Sequence, residues 1–229
     1  MKTGLNYHII FTNTGKQKAL QSVLSRALPE ETGRVFIPMR EYWVRKEQTV
    51  EQKPLFPGYI IFRTDMDRRS LHEFVKYNRR DIQTFVRELE NRTLLDSGMD
   101  VTAVYPEDPE LEITDVSAEE KELLDNVLDE DGVWRMSRGC KRDGKFIVPE
   151  GPLSVYTDRI KEVDRHNREA VLDLDFRGHR VVAGLELKPV RYFFPWDTDA
   201  PELLDDGTEV DLKDLAKKMM AHAVGLSSR

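Results

Sequence analysis

Apolar and polar residues alternate over 7–12, with Tyr7, Ile9 and Phe11 on one side, the period of a strand. Thr14-Gly15-Lys16-Gln17 then reads as a capping box, Thr14 at the N-cap and Gln17 three residues on. Behind it the period changes. Ala19, Leu20, Val23, Leu24, Ala27 and Leu28 fall on one stripe of a helix that Pro29 ends. Arg34–Met39 and Glu41–Arg45 are rich in strand formers, and Pro38 places an edge or a bulge between them. Tyr59–Arg63 predicts a short buried strand. Asp67 or Ser70 can cap a helix carrying Leu71, Phe74 and Val75, and Ile82–Val86 predicts a further strand. The order β-α-β-β-α-β is that of a ferredoxin-like α/β sandwich.

Residues 87–116 have no period and contain Pro106, Pro109 and many acids, which predicts a linker or an exposed insertion. Ser117-Ala118-Glu119-Glu120 is a second capping box, opening a helix with Leu123, Leu124, Val127 and Leu128 on one face. Gly132 and a loop to Gly144 close that unit. From Lys145 the helical period disappears. Phe146–Val148, Arg159–Val163, Ala170–Phe176 and Val181–Leu187 are short strands separated by turns at 149–152, 164–168 and 177–180. Strands this short and this close together predict a small β-barrel. An acidic loop at 196–207 follows, and Asp211 can cap a last helix with Leu212, Leu215, Ala216, Met219, Met220 and Ala223 on one stripe. The fold class is therefore α+β. The expected divisions are 1–86, the sandwich; 87–131, an acidic linker with one helix; 132–194, the barrel; and 195–229, an acidic extension with one helix.

Charge changes the picture more than composition does. The net charge of −7 argues against a nucleic-acid partner. Its distribution reopens the question: residues 1–86 carry 15 basic against 9 acidic residues, 87–131 carry 3 against 16, 132–194 carry 13 against 9, and 195–229 carry 4 against 8. Two basic blocks flank a very acidic one. No apolar run reaches the roughly 20 residues of a membrane span. The start, Met1-Lys2-Thr3-Gly4-Leu5-Asn6, predicts no signal peptide. A single cysteine, Cys140, can form neither an intrachain disulfide nor a cysteine-based zinc site, which favours a reducing, cytoplasmic setting.

The most informative segment is Lys53-Pro54-Leu55-Phe56-Pro57-Gly58-Tyr59-Ile60-Ile61-Phe62, in which two prolines and a glycine set a rigid turn ahead of a buried strand. It resembles the NusG family, where a leucine-phenylalanine-proline-glycine-tyrosine run precedes the third strand of the N-terminal (NGN) domain. The opening strand with Gly15, Asp65-Met66-Asp67 followed by His72, and the Ile82–Val86 strand are similar to that domain too. Glu150-Gly151-Pro152-Leu153 with Ile160–Asp164 resembles a KOW motif, the SH3-like barrel module that follows in the family. The resemblance covers residues 6–86 and 140–190. The helix at 117–129, leading through Val133–Ser137 to Gly151-Pro152-Leu153, is similar to specialised NusG paralogues such as the LoaP antiterminators. Three positions depart from the pattern. Arg80-Asp81 replaces a proline-glycine pair, Asp158 stands where KOW has a glycine, and the tail after Val190 has no counterpart. Aspartate tolerates a left-handed backbone better than most residues, so a turn at Asp158 can survive.

The resemblance implies a binding protein and not an enzyme, with no cofactor and no metal. It implies a transcription elongation regulator or antiterminator whose N-terminal domain docks on the clamp helices of the largest RNA polymerase subunit, suppressing pausing and termination. Such a protein would be cytoplasmic and nucleoid-associated through the polymerase, with no membrane partner. By match to the family, the polymerase-binding residues are Phe11, Phe56, Tyr59, Ile61 and His72. Aromatic anchors of this kind dominate helix-in-groove interfaces. The second module is expected to contact nucleic acid, RNA rather than duplex DNA, or another transcription or translation factor. Candidate nucleic-acid residues are Arg165, His166, Arg168, Arg177, His179 and Arg180, in two turns expected near one rim. A ribosome-associated KOW RNA-binding protein is the first alternative. A magnesium nuclease built on Asp65 and Asp67 is the second, but helix capping explains these aspartates without a metal. Cys140, beside Lys141 and Arg142, has neighbours that would depress its pKa, with no partner residue for catalysis.

Overall fold

The computed structural model describes residues 5–78 other than Asn13 and Lys16, then Arg80, Thr84, 113–197, 202–203 and 209–210. The first elements are β1 (Asn6–Phe11), α1 (Gln17–Ala27), β2 (Gly33–Phe36), β3 (Met39–Val44), β4 (Thr49–Pro54), β5 (Tyr59–Thr64) and α2 (Arg68–Tyr77). There follow β6 (Ile113–Asp115), α3 (Ala118–Val127), β7 (Val133–Trp134), β8 (Ser137–Arg142), β9 (Lys145–Glu150) and a 3-10 helix (Pro152–Arg159). The last are β10 (Ile160–Asp164), β11 (Glu169–Phe176), β12 (His179–Leu187), α4 (Val190–Phe193), β13 (Glu202–Leu203) and β14 (Glu209–Val210). Contacts divide the chain into two units, 1–39 with 54–125 and 40–53 with 126–229.

In the first unit an antiparallel sheet runs β2-β5-β1-β6, the order a ferredoxin-like sandwich requires. Pairing of Ile10 with Ile60, and of Phe62 with both His8 and Val35, puts these residues on one face. There Leu20, Val23, Leu24 and Leu28 of α1 and its C-terminal end pack against them, with Leu71 and Val75 of α2. The helical stripe expected for α1 is therefore its buried side. The opposite face carries Tyr7, Ile9, Phe36 and Ile61, which are also buried. Helix α3 reaches it, since the Tyr7 hydroxyl donates to Asp125 at 2.7 Å and the Lys121 ammonium lies over the Tyr7 ring. The strand closing this sheet beside β1 is Ile113–Asp115, inside the stretch expected to be a linker. The strand expected over 82–86 lies outside the described residues except for Thr84, which is helical.

The two capping boxes have different fates. At α3, the Ser117 amide donates to Glu120 and the Glu120 amide to the Ser117 hydroxyl, the reciprocal pair the sequence predicts. At α1, Gln17 does not cap; its side-chain amide donates to the Tyr59 carbonyl at 2.8 Å, tying the helix to the start of β5. At α2 the cap is Asp67, which accepts from the Ser70 amide at 2.7 Å.

In the second unit β4, β3 and β7 form a three-stranded sheet, and β10-β11-β12-β8-β9 a five-stranded one in which only β12 and β8 are parallel. Among the described residues the pairing runs from β10 to β9 and does not return, so no closed barrel is found. The link between these two edges is the 3-10 helix, which buries Leu153; the Leu153 amide donates to the Ser137 hydroxyl of β8 at 3.0 Å and the Ser154 amide to the Gly151 carbonyl at 3.1 Å. Asp158 lies in that helix and does not adopt the left-handed backbone expected of a glycine substitute. The β3-β4 hairpin packs within this unit. Arg40 meets Glu169 at 2.8 Å, and Glu41 accepts from the Met136 amide at 2.7 Å and from Arg135 at 3.1 Å. Gly184 lets β12 approach it, since a Cβ there would stand 2.9 Å from the Glu41 carbonyl oxygen. The helix expected from Asp211 lies outside the described residues.

Candidate interaction surfaces

Backbone hydrogen bonds hold the Leu55–Tyr59 turn at both ends and at Gly58. Leu55 donates to Pro38 at 2.7 Å, Tyr59 donates to the Phe56 carbonyl at 3.3 Å, and Thr12 donates to Gly58 at 2.8 Å. Gly58 has φ +88°, and a Cβ there would lie 2.7 Å from the Thr12 carbonyl oxygen and 2.8 Å from the Phe11 ring. Glycine is thus required twice, for the backbone conformation and for the seat it gives Phe11. Register pairs Phe11 with Tyr59, and their rings meet edge to face at 5.3 Å. Phe56 meets Tyr59 in the same manner at 6.3 Å.

The five candidate residues for a partner helix therefore do not play one role. Phe11 is 60% exposed and Tyr59 half-buried; together they form an apolar lip. Phe56 and Ile61 are 1% and 0% exposed, so they are core beneath that lip and not contact anchors. The reason is that Ile61 lies on a sheet face that is covered, and Phe56 turns inward from the rigid loop. His72 is exposed on α2, whose Leu71 and Val75 pack on the other face of the sheet. Sequence alternation does not reveal this split, because both faces of β1 and β5 are apolar.

The two basic turns are also separated. The turn at 164–168 precedes β11 and the turn at 177–178 follows it, so they lie at opposite ends of one strand, roughly 25 Å apart at strand rise. They do not share a rim, because consecutive antiparallel hairpins turn at alternate ends. Arg168 (φ +51°) is committed inside the unit, with its guanidinium 3.7 Å over the Trp43 ring and 2.6 Å from Glu186. Arg180 pairs with Glu162 at 3.2 Å. Arg165, Arg177 and His179 also have interactions within the protein, and His166 is exposed. The first turn is built around Asp164, which accepts from the Asn167 amide at 3.0 Å; that bond holds its carboxyl below the ordinary value.

Asp67 is a helix cap whose carboxyl is lowered by the Ser70 amide, as the capping explanation requires. Cys140 is fully buried, and burial raises its thiol pKa against the opposing influence of Arg142. The depression expected from its basic neighbours is thus reversed. Among the described residues no cluster of three His, Cys, Asp or Glu side chains could hold a metal. No helix among them is long and apolar enough to cross a membrane.

A surface the sequence does not flag lies at the end of β12. There Tyr192 and Trp196 are 53% and 73% exposed, beside Arg142 and Lys188.

No curated protein matches the chain. Residues 5–100, the stretch that contains the Phe11–Tyr59 lip and its glycine turn, match the family model described as transcription termination factor NusG, so this part of the chain carries a NusG-family domain.

Proposed function

We propose that the protein is a transcription elongation and termination regulator that acts by binding RNA polymerase, without catalysis, in the cytoplasm. The observation that carries this reading is the Phe11–Tyr59 lip, an exposed aromatic pair on a glycine turn within the stretch that matches the NusG family. Exposed rings on a rigid base suit a helical partner, because little conformational entropy is lost when they are covered. The clamp helices of the polymerase are the proposed partner, with His72 reaching a second contact from α2. Suppression of pausing and termination, as in antiterminators, is the proposed outcome. The 132–194 segment is proposed to act as a KOW-type module toward RNA or a second factor.

The test is capture of RNA polymerase on the immobilised full chain. Phe11→Ala with Tyr59→Ala should weaken capture by about 2 kcal/mol or more if either ring is a hot spot. Melting temperatures are compared first, since Tyr59 is half-buried. Undiminished capture by a folded double variant, or recovery of ribosomes in place of polymerase, would overturn the reading.

A further inference from the structure

After β12 the chain places four aromatic residues within five positions, Tyr192, Phe193, Phe194 and Trp196. Two of them anchor the segment. Phe193 and Phe194 pack with Ile147 against the buried pair Cys140 and Val190. The other two stand outward. Tyr192 meets Phe193 edge to face at 4.9 Å, and Trp196 meets Phe194 likewise at 5.8 Å. Each exposed ring is thus braced by a partly buried one. That fixes its orientation while leaving more than half of it open, at 53% and 73%.

Cations surround the pair. Arg142 lies 4.9 Å over the Phe194 ring, and Lys188 lies 5.9 Å from the Tyr192 ring. Arg138 shares the Glu186 carboxylate with Lys188. Lys145 is exposed and pairs in register with Arg142 across the β8-β9 hairpin. Among the described residues several anions pair with these cations, and Glu186 pairs with Arg168 as well, at 2.6 Å. Asp197 meets Arg142 at 3.0 Å, with Asp143 at 4.0 Å. Glu186 meets Lys188 at 3.0 Å and Arg138 at 3.4 Å, and Glu150 meets Arg138 at 3.6 Å. The Arg138–Glu150 pair is about half exposed and therefore weak, whereas Glu186 and Asp197 are mostly covered; a guanidinium has five N–H donors, so these contacts orient the arginines without exhausting them.

Rigid, outward aromatic rings interleaved with oriented cations match one ligand chemistry: planar rings joined by a phosphate chain. The bases of a duplex offer only their edges, whereas those of a single strand offer their faces to side-chain stacking. We infer that this surface binds single-stranded nucleic acid, with bases stacking on Tyr192 and Trp196 and phosphates meeting Arg138, Arg142, Lys145 and Lys188. It is distinct from the two turns at the ends of β11, which contain no Phe, Tyr or Trp to stack on a base. It does not depend on polymerase binding through the Phe11–Tyr59 lip.

Tryptophan fluorescence of the full chain reads the contact directly. Trp134 is fully buried and Trp43 lies beneath Arg168, whereas Trp196 is exposed. Titration with oligouridylate and with oligothymidylate should quench the emission, and the relative affinities tell whether RNA or DNA is preferred. Rising salt should weaken binding, and matched duplexes should compete poorly. Tyr192→Ala with Trp196→Ala should weaken binding of a fluorescein-labelled strand, read by anisotropy, by roughly tenfold or more. Trp196→Phe should retain binding while abolishing most of the quench. If the double variant melts at lower temperature, Trp196→Ala alone, at the most exposed of the rings, serves in its place. Absence of strand binding at low salt, unchanged affinity in the ring variants, or equal competition by duplex or polyglutamate would each overturn the inference. The same ring variants should capture RNA polymerase normally, and Phe11→Ala with Tyr59→Ala should bind strands normally, so failure of one reading is separable from failure of the other.

Discussion

At the scale of single residues, backbone conformation and hydrogen bonding decide what a position tolerates. Gly58 combines φ +88° with two contacts under 3 Å for any added Cβ, one of them to backbone. Gly178 has φ +77° but open space around it. Gly178→Ala should therefore cost only the left-handed backbone penalty, about 1–2 kcal/mol. Gly58→Ala should cost more and also displace Phe11. Urea denaturation of both variants checks this, and equal losses would show that the Phe11 contact is immaterial. Asp67 gives a pH signature. Its folded pKa lies below the ordinary 3.8, so the cap's contribution is complete above the unfolded value and is lost as pH falls through the folded one. The stability gap between wild type and Asp67→Ala should hold constant from about pH 7 to 5 and close at more acidic pH. A gap persisting unchanged at about pH 2 would mean that the side chain stabilises by something other than its charge-assisted bond to Ser70.

At the scale of elements, local signals succeed where an element's hydrogen bonds stay local. Ser117-Ala118-Glu119-Glu120 forms its reciprocal cap because both partners lie within one turn. Ser117→Ala should cost about 1 kcal/mol by thermal denaturation. Gln17, at the same spacing from Thr14, is drawn away because the Tyr59 carbonyl stands within reach of its amide. Strand β8, Ser-Arg-Gly-Cys-Lys-Arg, shows no apolar alternation, yet Ser137, Gly139 and Cys140 are buried between β12 and β9. Strand β4 is almost wholly exposed and is organised by its pairing with β3. The β3-β4 hairpin is in turn held by Trp43, under Arg168. Arg168→Ala and Trp43→Ala should each destabilise the protein, and a double-mutant cycle should give a coupling of about 1 kcal/mol. Simple additivity would mean that the Arg168–Glu186 pair alone positions the arginine.

At the scale of the whole molecule, chain order and spatial order part company. The hairpin at 40–53, inside the opening third of the chain, clusters with 126–229, and the strand that completes the first sheet is at 113–115. A fragment ending at residue 86 would leave β1, with Ile9 and Ile10, as an unpaired edge and deprive the hairpin of β7. An exposed apolar edge of this kind aggregates. Such a fragment should be poorly dispersed by amide NMR and prone to precipitate. A fragment ending at residue 134 restores β6, α3 and β7 and should be better ordered. If the two behave alike, β6 is dispensable to the sheet.

By itself the sequence determined the helices α1, α2 and α3, the strands β1, β5, β11 and β12, and the glycine turn before β5. In each of these, periodicity, a cap or a proline acts within a few residues. It also carried the resemblance that the family match over 5–100 supports at the coarser level. Only the tertiary structure decided which apolar residues are exposed. Phe11 and Ile61 lie on the same sheet face and are equally apolar, but one stands at its open end and the other beneath a covering layer. The strand Ala170–Phe176 read between the two basic turns already implied their separation, and the structure supplied the antiparallel pairing on both sides of it that puts them at opposite ends. The exposed rings of Tyr192 and Trp196 show the same limit. A run of aromatics predicts burial, and two of the four are exposed because Cys140, Ile147 and Val190 offer room for only the other two.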